Sequence, residues 1–183
     1  MVRPIRYYGD PLLRKKAHAV DEVDLELKVL INDMFETMEA VGGIGLAAPQ
    51  IGVSLRVFVV DLREGPDTRF VAINPSLQLY GQEIAGPEGC LSIPGLYAEV
   101  TRPSGAELSA MDLDGKKYHK KADGLLSKAF QHEVDHLDGM FFVDRVSAVR
   151  RAIFAGKLRK LERDVIAGRP IEIPSHEKAE SRL

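Results

Sequence analysis

The chain has 183 residues, 45% of them hydrophobic and 28% charged, with a formal net charge of −2 at pH 7. That length suits one domain with a substantial core, and the balance excludes a disordered chain or one built wholly to bind nucleic acid. No apolar run approaches the ~18–20 residues that span a bilayer, the opening MVRPIRYYGD lacks a signal peptide's apolar centre, and a single cysteine precludes an internal disulfide, so a reducing, cytoplasmic setting with no membrane or DNA partner is expected.

After a loop holding Gly9, Asp10 and Pro11, the stretch DLELKVLINDMFETMEAV sets Leu27, Leu30, Ile31, Met34, Phe35, Met38 and Val41 at spacings of three and four. This predicts an amphipathic helix that stops at Gly42 and Gly43. The next residues, GGIGLAAPQIG, contain a G-x-G-x-x-A match to a dinucleotide-binding turn, and Asp61 stands where a ribose-binding acid would. The order is wrong for that reading: such a turn follows a strand and opens a helix, whereas these glycines follow a helix and run into Pro49.

From Leu55 to about His119 the texture becomes β-rich, in the runs LRVFVV, RFVAI, SLQLYGQEI, LYAEV, AELSAM and KKYHKK. Turn signals at Gly65-Pro66-Asp67, Asn74-Pro75 and Asp114-Gly115 separate them, which predicts an antiparallel, partly mixed sheet. The string DLDG at 112–115 lacks the later acids of a calcium loop and reads as a hairpin turn.

A helical period returns over GLLSKAFQHEVDHLDG, Gly124 to Gly139. On a wheel, Leu125, Ala129, His132 and His136 share one arc with Glu133 at its edge, and Leu126, Phe130, Val134 and Leu137 occupy the next. Ser127, Lys128, Gln131, Asp135 and Asp138 fall on the opposite side, predicted to be the polar one. HEVDH at 132–136 therefore stacks two imidazoles on one buried face, where they can grip one ion with Glu133 beside them as a general base.

A catalytic centre of this kind needs a third protein ligand. The extended protease string H-E-x-x-H-x-x-G-x-x-H is matched through Gly139 and fails at Phe142, and Glu162 lies in a basic terminal segment. Cys90, bracketed by proline and glycine in PEGCLSIPG, is the better candidate; a lone cysteine without the histidine pair would read as a small buried hydrophobe.

Three strings together resemble the signature motifs of peptide deformylase: GIGLAAPQ (43–50), EGCLS (88–92) and QHEVDH (131–136). The resemblance runs from about residue 4 to 146 and implies removal of the formyl group from the initiator methionine of nascent N-formylmethionyl peptides. It implies Cys90, His132 and His136 as metal ligands, Glu133 as general acid and base, and Gln50 with the Leu91 N–H as the oxyanion site. It makes the glycine loop a cradle for substrate backbone at Gly43, Ile44 and Gly45. Ile44, Leu125 and Ala129 are candidates for the methionine slot, a placement that ordinary core packing explains equally well. A Cys-His-His donor set reads most simply as Zn²⁺, whereas the resemblance implies Fe²⁺, with Zn²⁺, Ni²⁺ or Co²⁺ as substitutes. The alternative function is a zinc endopeptidase of the HExxH class.

Between Ser147 and Pro170 seven basic residues face two acids, a segment net of +5 against −7 for the remainder. The segment has helical character; its charge reads as a solvated face or, by the resemblance, as a ribosome contact. The expected architecture is α+β: antiparallel or mixed sheets around a central metal-binding HExxH helix, with an N-terminal and a C-terminal helix. Residues 1–168 are expected to form a single catalytic domain, with a metal core at about 43–146, a C-terminal helix at about 147–167 and a loose tail at 169–183.

Overall fold

The apolar run VFVVD needs cover on both sides, and the chain supplies it with one helix on each face. In the computed structural model, which describes residues 1–173, the elements are α1 (Leu25–Ala40), β1 (Gly45–Ala47), β2 (Val57–Asp61), β3 (Arg69–Cys90), β4 (Ile93–Met111), β5 (Lys117–Asp123), α2 (Gly124–Leu137) and α3 (Ala148–Ile166). Residues 174–183 of the expected tail lie outside the described residues.

Every residue of β2 is buried, which explains its unbroken hydrophobicity. Val57 and Val59 face α1 in a cluster with Leu30, Ile31, Met34 and Met38, while Phe58 and Val60 face α2 in a cluster with Ala129, Phe130 and Leu137. Successive strand side chains point to opposite faces, so one strand serves two cores. The helix predicted at 24–41 starts on Asp24, whose carboxylate caps the Leu27 N–H at 2.8 Å. It is the lid of the first cluster.

The sheet differs from expectation in two ways. It is one sheet, not several, and it is wholly antiparallel rather than mixed, with strands in sequence order β1-β2-β3-β4-β5. The reason is connectivity: each strand reaches the next by a turn or a short loop, and a parallel partner would require a long crossover. Among the described residues, parallel pairing occurs as one isolated bridge between His18 and Leu55. The runs RFVAI and SLQLYGQEI are a single strand that continues through Cys90, and LYAEV and AELSAM are likewise joined in β4. Asn74-Pro75, which looks like a break, is a β-bulge instead, and a second bulge lies at Gly81 inside the run SLQLYGQEI: the register slips between Ile73 and Ser76 and between Tyr80 and Glu83, where Asn74 (φ 51°) and Gly81 (φ 82°) adopt left-handed backbone.

The second helix is central, touching all five strands. Its predicted polar side is solvated only in part: Asp138 is exposed and Lys128 half-buried, but Ser127, Gln131 and Asp135 are buried along with the histidines, because the β3–β4 hairpin covers that side as well. A third apolar cluster, built on Leu13, Ile93, Phe141 and Phe142, anchors α3 through Leu158.

Gly139 ends α2 with φ 74°, and Met140 N–H donates back to the Asp135 carbonyl at 2.8 Å, a Schellman stop. A Cβ at Gly139 would stand 2.6 Å from the Arg14 carbonyl oxygen. Gly139→Ala is therefore expected to lower the unfolding free energy by about 2–3 kcal/mol, combining left-handed strain with a backbone clash. The urea midpoint should fall at constant m-value; an unchanged midpoint would contradict this packing.

Candidate metal centre

Cys90 is the last residue of β3 and pairs with Ile93 across a tight turn, so its sulfur is fixed by strand register rather than by a free loop. The His132 and His136 rings lie one turn apart on α2, edge to face, with centroids 4.9 Å apart. One donor atom each from Cys90, His132 and His136 lies within 4.8 Å of the other two, and Sγ stands 3.1 Å from His136 Nε2. A metal held at about 2.0–2.3 Å from such donors needs them close together in this manner. The sequence-predicted trio therefore converges, while Phe142 is fully buried in the third cluster and Glu162 packs near Gly9.

The polar surroundings fit a cation. Glu88 Oε2 lies 3.1 Å from His132 Nδ1, which fixes the ring and turns its other nitrogen toward the sulfur. Burial raises the Glu88 pKa, but hydrogen bonds from Arg102 and His132 outweigh it and hold the carboxyl down at about 2. Arg102 grips Glu88 through Nε at 2.5 Å and Nη2 at 2.9 Å, and reaches Asp135 at 3.0 Å. Arg145 completes the set with Nε 2.6 Å from Asp135. Burial opposes charging of both imidazoles. Hydrogen bonds with Cys90 and Glu88 nonetheless push the His132 pKa up, while burial and then the His132 charge push His136 well below the ordinary histidine value.

Two further groups complete the chemistry. Gln50, on the 3-10 turn Ala48–Ile51, accepts the Ala47 N–H on Oε1 at 2.8 Å, which turns Nε2 toward Ser92 Oγ at 3.2 Å and Cys90 Sγ at 3.6 Å. Glu133 is buried, with Oε2 making no hydrogen bond among the described residues. Burial, helped by the charges of Asp135 and Glu88 and opposed by His132 and Arg102, raises its pKa to about 7. Gly45 lies against this carboxyl so closely that any Cβ would overlap Oε1. At Gly45, then, the missing side chain makes room for Glu133, with no phosphate needed to explain it.

One cleft collects these parts. Its lining includes Gly43, Ile44, Gly45, Gln50, Cys90, Leu91, His132 and Glu133. The loop is braced from outside, the Arg63 guanidinium donating to the Gly43 carbonyl at 3.0 Å and Asp61 N–H to the Ile44 carbonyl at 2.9 Å. Leu125 and Ala129 do not line this cleft. Leu125 is exposed at a separate cavity beside Ile84 and Lys128, and Ala129 is fully buried in the second core cluster. The wheel gave them the correct arc but not their height along it. Arg102 carried no sequence signal of its own, lying between two predicted strands; the missing countercharge for a buried Glu88 was the available clue.

Residues 2–152 match the family model described as polypeptide deformylase. The peptide deformylase of Acidobacterium capsulatum is 45% identical over 165 residues, covering 89% of this chain and 97% of that protein. The crystal structure of a peptide deformylase from Legionella pneumophila is similar with a TM-score of 0.83 at 42% identity, covering 93% of this chain and 100% of that one. A peptide deformylase from Synechococcus elongatus in complex with actinonin has a TM-score of 0.80 at 43% identity, covering 92% of this chain and 91% of that one.

Replacing Arg102 by Met would leave Glu88 buried without its cation. The expected outcome is a loss of about 3–5 kcal/mol of stability and a drop of about 10- to 100-fold in metal affinity. Denaturation and chelator competition measure the two separately, and retention of both would disprove the role of this network.

Proposed function

The chain belongs to the polypeptide deformylase family, and from that premise we propose that it removes the N-formyl group from the initiator methionine of newly made polypeptides, releasing formate. The observation that carries this reading is a three-donor metal site, an oriented Gln50 amide and a buried Glu133 carboxyl in one cleft. A zinc endopeptidase is disfavoured because the third donor of the cluster is Cys90 and the last position of the extended protease string is the buried Phe142.

On this reading residues 1–168 act as one catalytic domain. Cys90, His132 and His136 would hold one divalent ion, assigned as Fe²⁺ from the family resemblance, and the same donors accept Zn²⁺, Ni²⁺ or Co²⁺. When bound, the ion supplies Lewis acidity. The chain's own groups do the rest. Gly43 and Gly45 let the substrate backbone lie close, and Ile44 contributes to the methionine slot. Gln50 Nε2 and the Leu91 N–H donate to the formyl oxygen as it gains charge, each contributing about 3–4 kcal/mol to the barrier reduction. Glu133 takes a proton from the attacking water and returns it to the departing amine, a double duty suited to a carboxyl whose pKa is about 7.

The basic segment is read as a ribosome contact with fewer free charges than the sequence implies. Arg150 pairs with Glu99, Arg151 with Asp144, and Lys160 and Arg169 with Asp164. Lys157, Arg159 and Arg163 are exposed and form no ion pair among the described residues, so these three are assigned to rRNA phosphates.

Glu133→Ala is expected to retain stoichiometric metal and to lose formate release from a formyl-methionyl peptide under anaerobic assay; equal turnover in the variant would remove the mechanism. For the ribosome contact, three phosphate contacts predict a log affinity that falls with log salt at a slope of about −2 to −3. Salt-insensitive binding, or none, would reject that assignment.

A further inference from the structure

The family match ends at residue 152, yet the chain beyond it returns to the catalytic cleft. The turn that sends it back is built with care. Gly168 takes φ 64°, and Arg169 N–H donates to the Asp164 carbonyl at 2.9 Å, closing α3 with a second Schellman stop. The Asp164 carboxylate, itself buried, is held by Lys160 at 3.0 Å on one side and by the Arg169 guanidinium at 3.0 Å on the other. Pro170 then prevents the helix from resuming.

The reversed chain crosses the turn that begins β4. Pro170, Ile171 and Glu172 share a groove with Pro94 and Gly95, and the next residue, Ile173, borders the cleft that holds Cys90 and Glu133. Ile173 is 57% exposed. A large, mostly exposed aliphatic side chain therefore lines the same cleft as Tyr7, Pro94 and Tyr97 and offers its surface to a peptide that occupies it. The formyl end of a substrate is confined to the metal centre, so the residues after the methionine must leave along this cleft.

We propose that Arg169–Ile173 is a specificity-determining strap, in which Ile173 contacts the third residue of the formylated peptide and favours an apolar side chain there over a charged one. The proposal rests on the deformylase reading. It locates sequence preference in a segment outside the stretch matched by the family model.

The test measures formate release from three substrates: a formyl-methionyl dipeptide, and tripeptides ending in leucine or in glutamate. Ile173→Asp is expected to raise KM for the leucine tripeptide by about five- to tenfold, the modest end of apolar discrimination. It should leave kcat and both constants of the dipeptide unchanged, and Ile173→Leu should restore wild-type behaviour. The strap is overturned if KM for the leucine tripeptide does not move, or if the dipeptide moves equally. Wild-type protein that releases no formate from any substrate would instead overturn the deformylase reading, and the strap with it.

Discussion

The structure turns on a buried guanidinium. Arg102 sits between Glu88 on β3 and Asp135 on α2, and without it two carboxylates would stand in the core behind a metal centre. Burying these charges costs several kcal/mol per ion before pairing. The arrangement is therefore specified as a unit, with Arg102 ionised, Glu88 ionised and the His132 ring fixed by Glu88. Because Glu88 lies two residues before Cys90 on the same strand, the contact that orients one ligand also sets the height of another. A lysine could not do this, since only the planar fork bonds one carboxylate twice and still reaches a second.

How much of this was legible depends on how local each signal is. HEVDH needed only helical periodicity, and both histidines came out buried on one face. Cys90 was reached by eliminating Phe142 and Glu162 and by the motif resemblance; that the proline- and glycine-bracketed stretch holding it is the end of a long strand was not legible. Asn74-Pro75 misled for a physical reason: turn chemistry and bulge chemistry use the same left-handed backbone, and only the partner strand decides between them. Asp135 was assigned to the polar side of α2 because a wheel assumes a helix with one wet face. This helix has none over its central turns. Arg102 was invisible because its two partners lie 14 and 33 residues away, and nothing near it in sequence marks it as internal.

The glycine loop shows how a decoy motif and a real function can share a spelling. Phosphate turns and this cleft both need backbone that approaches a ligand closely, so both select glycine at alternate positions. Here the intimate neighbour of Gly45 is the protein's own Glu133. The element order, helix before the glycines, already pointed away from a nucleotide.

The two outer margins of the sheet are poor templates for a foreign strand. On one side β1 is only three residues long, with Pro49 two residues beyond its end; on the other, β5 carries Lys117, Lys120 and Lys121. Short, proline-stopped or lysine-bearing borders discourage uninvited pairing. A protein whose working life is spent among unfinished, extended chains can thus admit a few residues of a client at its cleft without being zipped into an aggregate along its flanks.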